Sequence, residues 1–326
     1  MIDQYKRNIN YIRISVTDRC NLRCVYCMPE EGAVFLPKSD LLTDEEIIRL
    51  CRCFARLGMK HVRITGGEPL VRDDIVSLVG GIKRLEGIGR VTLTTNGVFL
   101  RDHLSGLCLA GLDGINISLD TMAQDRYRQI TGKDCFSQVY AALEEAVQYK
   151  DLKVKINCVP MTDTSEKEIT DLVGLARKNP LSVRFIEMMP IGLGKRHSFR
   201  QEEELRCLIT HTYGALIPLP PSKWSGPARY YSIPGFLGSI GFISAMSHNF
   251  CKECNRIRLT ADGHLKTCLQ YEKGLDLKSI LRRETDDSSL ERAIAFGIYE
   301  KPDGHSFHSL TYPEFCEQNY MSQIGG

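Results

Sequence analysis

The sequence predicts an α/β protein whose main part is an open, partial TIM barrel of about six βα units, followed by a C-terminal β-hairpin and helical extension. Strand-like and helix-like segments alternate six times before Pro190, at close to the ~30 residues of a βαβ unit. A closed barrel of eight units usually takes about 250 residues, so six units predict an incomplete barrel. Past Pro190 the alternation ends. We therefore divide the chain into residues 1–190 and 191–326.

The composition is that of a soluble globular protein. The 326 residues are 43% hydrophobic and 25% charged, and 42 basic against 40 acidic side chains leave a net charge of +2. No run of 18 apolar residues and no apolar signal region are present, so we expect no membrane contact and a cytoplasmic location. Nothing resembles a DNA-reading helix, so we expect no nucleic-acid partner.

The elements follow from periodicity and capping signals. The first helix should begin after Thr43, because Thr43 and Glu46 form a capping-box pattern. The predicted barrel strands are 11–16, 61–65, 90–95, 114–120, 152–159 and 182–187. The predicted helices are 43–57, 73–85, 100–110, helical segments within 124–149, 165–178, and most of 275–300.

Two hairpins are predicted in the C-terminal region. The first pairs residues 230–233 with 239–243. In the second, Asp262-Gly263 between alternating runs predicts a two-residue turn. That register pairs Cys268 with Ile257 and puts Arg256 and Arg258 on the opposite face from Cys268. If both arginines serve the same pocket as Cys268, the register must slip or bulge.

Cysteines form the first chemical signal. Cys20, Cys24 and Cys27 follow the first strand with the spacing C-x3-C-x2-C. Three thiolates on one loop can hold three corners of a cubane iron–sulfur cluster and leave one iron open to a small molecule. The alternative is a structural zinc knuckle, although zinc loops usually pair two C-x2-C knuckles.

A second group of cysteines, Cys251, Cys254 and Cys268, also offers three thiolates. A zinc site completed by His248 or His264 is the alternative here. The other seven cysteines are predicted to be small buried hydrophobic residues: Cys51, Cys53, Cys108, Cys135, Cys158, Cys207 and Cys316.

Two further patterns suggest ligand contacts. Gly66-Gly67-Glu68-Pro69 after the second strand allows close approach of the main chain to a ligand, although alone it is an ordinary βα loop. Basic residues near strand ends could face the barrel mouth and bind a triphosphate, or they could be solvated surface charges. These residues are Arg13, Arg63, Lys155, Arg256 and Arg258.

These motifs together resemble a known family. Cx3CxxC after a first strand, with Tyr26 before the last cysteine, resembles the signature of the radical S-adenosylmethionine enzymes. Residues 13–29 and 247–263 resemble more specifically the two motifs of the GTP 3′,8-cyclases, also called molybdenum cofactor biosynthesis protein A. The resemblance extends from Arg13 to Gly326, with no departure at a motif position.

The resemblance implies two [4Fe–4S] clusters, one on each cysteine triad, and S-adenosylmethionine as cosubstrate. The implied contacts of S-adenosylmethionine are Tyr26, Gly67, Ser118 and Met189. The implied contacts of GTP are Arg13, Arg63, Thr94, Lys155, Arg256, Ile257 and Arg258. The terminal pair Gly325 and Gly326 would enter the active site.

The implied reaction is that of a lyase in the first step of molybdenum cofactor biosynthesis, which joins C3′ of GTP to guanine C8. Implied partners are a flavodoxin- or ferredoxin-type electron donor and cyclic pyranopterin monophosphate synthase, and a homodimer is compatible with the sequence. Two rivals remain open: a radical enzyme with an auxiliary cluster that modifies a peptide, and an iron–sulfur or zinc regulator without turnover.

Overall fold

The computed structural model describes residues 1–221, 226–272, 274–307 and 317–325. Its strands are β1 (Tyr11–Ser15), β2 (His61–Thr65), β3 (Arg90–Thr95), β4 (Gly114–Ser118), β5 (Lys153–Cys158), β6 (Ser182–Ile186), β7 (Ile217–Pro218), β8 (Arg229–Ser232), β9 (Ser239–Ile243), β10 (Arg256–Leu259), β11 (His264–Lys266) and β12 (Leu275–Asp276). Its helices are α1 (Asp44–Arg56), α2 (Ile75–Lys83), α3 (Leu100–Leu109), α4 (Gln124–Thr131), α5 (Phe136–Ala146), α6 (Glu166–Lys178), α7 (Glu202–Tyr213), α8 (Leu277–Arg283), α9 (Asp287–Tyr299) and α10 (Met321–Ile324).

Within the described residues the strands form one sheet in the order β12-β11-β10-β1-β2-β3-β4-β5-β6-β9-β8-β7. Strands β1 to β6 are parallel neighbours in chain order, each within two residues of its predicted ends. β10 adds to β1 and β9 adds to β6, both in parallel. β9 and β10 are not neighbours in the sheet, so these two strands do not close the barrel. The predicted partial barrel is therefore confirmed. The division at residue 190 stays a prediction.

Helix α1 begins where its capping signal predicts. Thr43 Oγ1 accepts a hydrogen bond from the backbone N–H of Glu46, and the Glu46 carboxylate accepts one from that of Thr43. These bonds satisfy two amide groups that the first turn of α1 leaves free. Helix α7 was not predicted, although the acidic first turn after Gln201 is a helix-start signal.

The second hairpin corrects the predicted register. The first hairpin, β8 with β9, is confirmed. β10 and β11 pair Arg258 with Lys266, so the turn between them has three residues and not two. A two-residue type I′ turn needs positive φ at both positions, and here only Gly263, at +85°, has it. The shift places Arg258, Lys266 and Cys268 on the same face, because side chains alternate along a strand.

The scattered cysteines are less uniform than predicted. Three of these cysteines, which lie in barrel helices and strands, are buried: Cys51, Cys53 and Cys158. Cys207 on α7 is exposed, which corrects its prediction, and Cys108 and Cys135 are only half-buried. Cys316 lies outside the described residues. None of the helices described is long and apolar enough to cross a membrane.

Candidate active site

A row of basic side chains crosses the middle of the sheet. β1 pairs Arg13 with Arg258 of β10 on one side and with Arg63 of β2 on the other. Arg13, Arg63 and Lys155 each occupy the third position of their strand. These three residues therefore lie halfway along their strands and not at the strand ends where they were expected.

These side chains line one cavity, whose empty space, including the part open to solvent, is about 1360 Å³. Its lining within the described residues contains ten basic side chains and no carboxylate. Five of the ten are the predicted arginines and lysine. The other five, which sequence reasoning missed, are Arg90, Lys153, Arg184, Lys266 and Lys301. Such a lining favours a polyanionic ligand.

Burial and repulsion between neighbouring positive charges lower the pKa values of basic groups in this cavity. Burial, and then the charge of Arg258, holds the pKa of Arg13 well below its usual value. Burial also lowers the pKa of Arg258 to about 10 and that of Lys155 to about 8. An anion between these groups restores their preference for the charged form.

Lys155 has a phenol as its partner. Its Nζ donates to Tyr230 Oη at 2.7 Å. Burial opposes ionisation of Tyr230, but Arg184 and Lys155 outweigh burial and lower the pKa of the phenol to about 8. Arg184 itself donates to Asn116 Oδ1 at 2.7 Å. The ammonium of Lys155, which lines the cavity, and the phenol of Tyr230 therefore both titrate near pH 8.

The second cysteine triad lines the same cavity as the basic row. Cys251 Sγ accepts from the backbone N–H of His305 at 3.4 Å, and Arg256 Nη2 lies 3.9 Å from Cys254 Sγ. Burial disfavours the Cys254 thiolate, but Arg256 and Lys301 outweigh burial and lower the pKa to about 7. Because the thiolate is the form that binds metal, this donor set fits an iron–sulfur cluster.

The two histidines considered for a zinc site lie elsewhere. His264 Nδ1 is 3.1 Å from Asp262 Oδ2 in the turn of the second hairpin. His248 is more than half exposed and lies beside Ser247 and Glu202. Neither lines the cavity. Across the described residues, no three Cys, His, Asp or Glu side chains converge as they would around a single metal ion.

The first triad sits on a loop tied to the end of α4. The backbone N–H groups of Arg23 and Val25 donate to carbonyls at Thr131 and Ile130, at 2.9 and 3.0 Å. Burial, and then the neighbouring Cys27, raises the pKa of Cys24 well above its usual value. Burial likewise raises the pKa of Cys27 to about 12. A cluster's positive charge stabilises such thiolates, so this donor set also fits.

Tyr26 and Ser118 line a second cavity beside Cys24, with about 290 Å³ of empty space. Tyr26 Oη donates to Asp120 Oδ2 at 2.6 Å, and Asp120 Oδ1 accepts from the backbone N–H of Val159 at 2.8 Å. Burial raises the pKa of Asp120 to about 6. Sequence reasoning did not single out Asp120, although it ends the predicted fourth strand.

Gly67 lies where no side chain fits. An added Cβ would lie 2.4 Å from the carbonyl oxygen of Arg19. The neighbouring Glu68 belongs to the same motif, but its role was not predicted: it is fully buried and accepts from Thr95 Oγ1 and from the backbone N–H of Asn96, both at 2.6 Å. Asn96 Nδ2 lies 3.9 Å from Cys20 Sγ. Glu68 therefore connects the loops after β2 and β3 to the first triad.

Three residues that were predicted to contact a ligand do not line the cavity in which they were expected. Met189, predicted beside S-adenosylmethionine, lines the basic cavity rather than the cavity of Tyr26. Thr94 does not line the basic cavity, whereas Thr92 on the same strand does. Gly67 lines neither cavity. Ile257 lines the basic cavity as predicted.

The C-terminal segment connects the first triad to an arginine of the basic cavity. The backbone N–H of Ser322 hydrogen-bonds Cys27 and acts against the burial that raises its pKa. The carbonyl oxygen of Gly325 accepts from Arg258 Nη1. The chain from Ser322 to Gly325 spans at most about 14 Å, so the first triad lies close to Arg258, which lines the basic cavity together with the second triad. Gly326 lies outside the described residues.

Comparison with known proteins identifies the family. The Radical SAM superfamily profile matches residues 14–176, half of the chain, and the profile described as Molybdenum Cofactor Synthesis C matches residues 181–307. The chain is 43% identical to "GTP 3',8-cyclase" of Clostridium perfringens strain SM101 over 326 residues, and 43% identical to that of Heliobacterium modesticaldum over 329 residues. Both alignments cover 100% of each chain.

Among solved structures, Streptococcus suis SuiB bound to S-adenosylmethionine matches with a TM-score of 0.62 and 17% identity, over 92% of this chain and 74% of that one. At this identity the likeness shows the fold alone. The family itself is shown by the full-length relatives and the two profiles: the chain belongs to the GTP 3′,8-cyclases, within the radical S-adenosylmethionine enzymes.

Proposed function

We propose that the chain converts GTP into 3′,8-cyclo-7,8-dihydro-GTP, as a lyase of molybdenum cofactor synthesis. The family's full-length relatives carry this activity in their names. The single observation on this chain that supports it best is the basic cavity, which the second cysteine triad also lines. A triphosphate needs several cationic donors, and a base needs an adjoining site; this cavity offers both.

As a radical S-adenosylmethionine enzyme, the chain uses a [4Fe–4S] cluster and S-adenosylmethionine. Cys20, Cys24 and Cys27 would hold that cluster. When bound, it supplies the electron that splits S-adenosylmethionine and releases the 5′-deoxyadenosyl radical. That radical would take the hydrogen from C3′ of GTP, and C3′ would then bond to guanine C8. One electron and one proton would complete the product.

The residues around Tyr26 would hold the cosubstrate. Asp120 fixes the Tyr26 phenol through a 2.6 Å hydrogen bond, and Ser118 lines the same cavity. Gly67 lets the main chain approach closely, because an added Cβ would clash with Arg19. Met189 would contact the cosubstrate from the side of the basic cavity.

Arg13, Arg63, Lys155, Arg256 and Arg258 would bind the triphosphate. Each charge-assisted hydrogen bond contributes roughly 1.5–3 kcal/mol. Ile257 would pack against the bound nucleotide, and Thr94 is a weaker candidate, because it does not line the cavity. Cys251, Cys254 and Cys268 would hold a second [4Fe–4S] cluster at the purine end.

The C-terminal segment would close the site. Gly325 packs between Ser15 and Thr65, where an added Cβ would lie 3.0 Å from Ser15 Cβ. We propose that Gly325, with Gly326, excludes water from the reacting atoms and holds Arg258 through its carbonyl oxygen.

Several partners belong to the same proposal. A flavodoxin- or ferredoxin-type protein would deliver the electron, and cyclic pyranopterin monophosphate synthase would take the product. The proposal places the chain in the cytoplasm and is compatible with a homodimer.

GTP carrying deuterium at C3′ tests the proposed reaction. After anaerobic turnover we expect deuterium in 5′-deoxyadenosine and a cyclised nucleotide without it. Cleavage of S-adenosylmethionine with no transfer of deuterium from GTP would contradict the proposal and favour a peptide substrate. Metal bound without any cleavage would favour a regulator.

A further inference from the structure

The buried guanidinium of Arg7 gathers carbonyl oxygens from two distant parts of the chain. Its Nη1 donates to the carbonyl oxygens of Cys251 at 3.0 Å and Asp303 at 2.5 Å. Its Nη2 donates to those of Pro302 at 2.6 Å and Lys301 at 3.4 Å. One side chain from the N-terminal segment thus ties the loop of Cys251 to residues 301–303.

Asp3 fixes the orientation of Arg7. Its Oδ2 accepts from Arg7 Nε at 2.6 Å, and its Oδ1 accepts from the backbone N–H groups of Arg7 and Tyr5 at 2.9 and 3.0 Å. The side chains of Arg7 and Asp3 are only 4% and 0% exposed. Breaking a buried, hydrogen-bonded pair leaves a charge without its partner, so this geometry is strongly preferred.

Residues 301–305 contact Cys251 and the residue that precedes Cys268. Lys301 Nζ donates to the carbonyl oxygen of Thr267, next to Cys268. The backbone N–H of His305 donates to Cys251 Sγ at 3.4 Å. Gly304 packs so closely that an added Cβ would lie 3.1 Å from Cys251 Cβ. Arg7 therefore completes a frame around cysteines that come from two separate segments.

We propose that Arg7 is a positioning residue for the second cysteine triad, and that it holds Cys251 in place relative to Cys254 and Cys268 so that the triad retains its cluster. This inference rests on the proposed function, because it takes the second triad to bind iron and sulfide. Ligand sites need their supporting residues to fix the donor atoms within about 0.5 Å. Cys251 lies on a loop that the sheet itself does not hold.

The test is Arg7→Lys in the full chain, reconstituted anaerobically with iron and sulfide. Lysine keeps the charge but lacks the planar fork of donors. We expect iron and sulfide to fall from about eight to about four atoms of each per chain, with reductive cleavage of S-adenosylmethionine retained. A general loss of folding would instead remove both clusters and the cleavage activity.

Arg49→Lys is the matched control. Arg49 also pairs with an aspartate, Asp287, and donates to three carbonyl oxygens, those of Leu281, Glu284 and Thr285. It lines neither cavity. We therefore expect the Arg49→Lys chain to keep both clusters.

The outcomes separate the two proposals. If the intact chain holds two clusters, Cys268→Ala holds one and Arg7→Lys holds two, the role of Arg7 is overturned and the proposed function stands. If the intact chain holds only one cluster, the second site is overturned, and the role of Arg7 with it.

A second variant serves if Arg7→Lys fails to fold. Asp3→Asn leaves the guanidinium in place but removes the charge that orients it. We expect about half of the iron to pass to a chelator at least tenfold faster than from the intact chain, as for other supporting residues of metal sites. Equal release rates would overturn the inference.

Discussion

The two cysteine triads differ in how the chain builds them. The first lies within eight residues on one loop, and its neighbours come from the adjacent βα loops. The second joins a loop after β9 to the end of β11, and it depends on the hairpin register, on residues 301–305 and on Arg7. A site on one loop can be predicted from spacing, whereas a site assembled from several segments depends on tertiary structure.

The triads also differ in charge. Burial dominates around Cys24, whose pKa is raised. Around Cys254, Arg256 and Lys301 outweigh burial and lower the pKa to about 7. The second triad thus shares its electrostatic environment with the cavity proposed to bind GTP. This difference suggests a division of labour, with cosubstrate cleavage at the first triad and substrate binding at the second.

The largest expected effect separates the two triads. Cys24→Ala should abolish cleavage of S-adenosylmethionine, because the proposed radical cluster would lose a ligand. Cys268→Ala should retain cleavage and lose GTP cyclisation. Chromatography of 5′-deoxyadenosine and of the cyclised nucleotide measures both. Loss of cleavage in the Cys268→Ala chain would contradict the division of labour.

The basic cavity should contribute mainly to binding. Arg258→Ala removes a buried cation that lies on β10 beside Arg13 of β1. Loss of one charge-assisted contact, roughly 1.5–3 kcal/mol, predicts a GTP dissociation constant about 10- to 100-fold higher by anaerobic calorimetry. Arg283→Ala, whose side chain is 74% exposed, is the control and should bind normally. Equal affinity in both variants would exclude Arg258 from the site.

Affinity for GTP should fall as pH rises through 8. Burial lowers the pKa of Lys155 to about 8, so free Lys155 is charged below that pH and neutral above it. A bound triphosphate favours the charged form, and ionisation of Tyr230, whose pKa is also about 8, acts in the same direction. We expect the dissociation constant to rise about tenfold from pH 7 to 9.

Lys155→Met should flatten this pH profile, whereas Lys150→Met, at an exposed position, should leave it unchanged. Tyr230→Phe should make the dissociation constant for GTP depend less steeply on pH, because the ionising phenol is removed. A slope that survives in the Lys155→Met chain would assign the titration to another group.

The smallest expected effect concerns the turn that sets the register. Gly263→Ala places a side chain at φ +85°, 2.7 Å from Lys278 Cβ. Gly235→Ala is matched in φ, at +81°, but has nothing within 4 Å. The backbone strain costs roughly 1–2 kcal/mol of unfolding free energy in either variant. Gly263→Ala should lose more stability than Gly235→Ala, because its new methyl group also meets Lys278. Only Gly263→Ala should also weaken GTP binding, as denaturation curves and calorimetry can check.

Much of the fold could be predicted from the sequence because parallel barrel strands are short buried runs between helices. β2 and β3 were predicted with their observed ends. The β10–β11 register could not be predicted, because Asp262-Gly263 suits turns of two or three residues. The choice depends on backbone angles at Asp262 that its identity does not fix.

The sequence pointed to both cysteine triads and to five of the ten basic side chains of the cavity. The family resemblance added Gly67. Asp120, Glu68 and Arg184 act through hydrogen bonds to residues far away in the chain, and no local pattern marks such pairs. Nothing local marks the carbonyl partners of Arg7, because they lie more than 240 positions away in the chain.

Iron and sulfide content tests the central claim, two separate clusters on one interior, most directly. After anaerobic reconstitution, the account predicts about eight iron atoms in the intact chain and about four when all three cysteines of either triad are changed to alanine. About four in the intact chain, or loss of all iron from either variant, would contradict it.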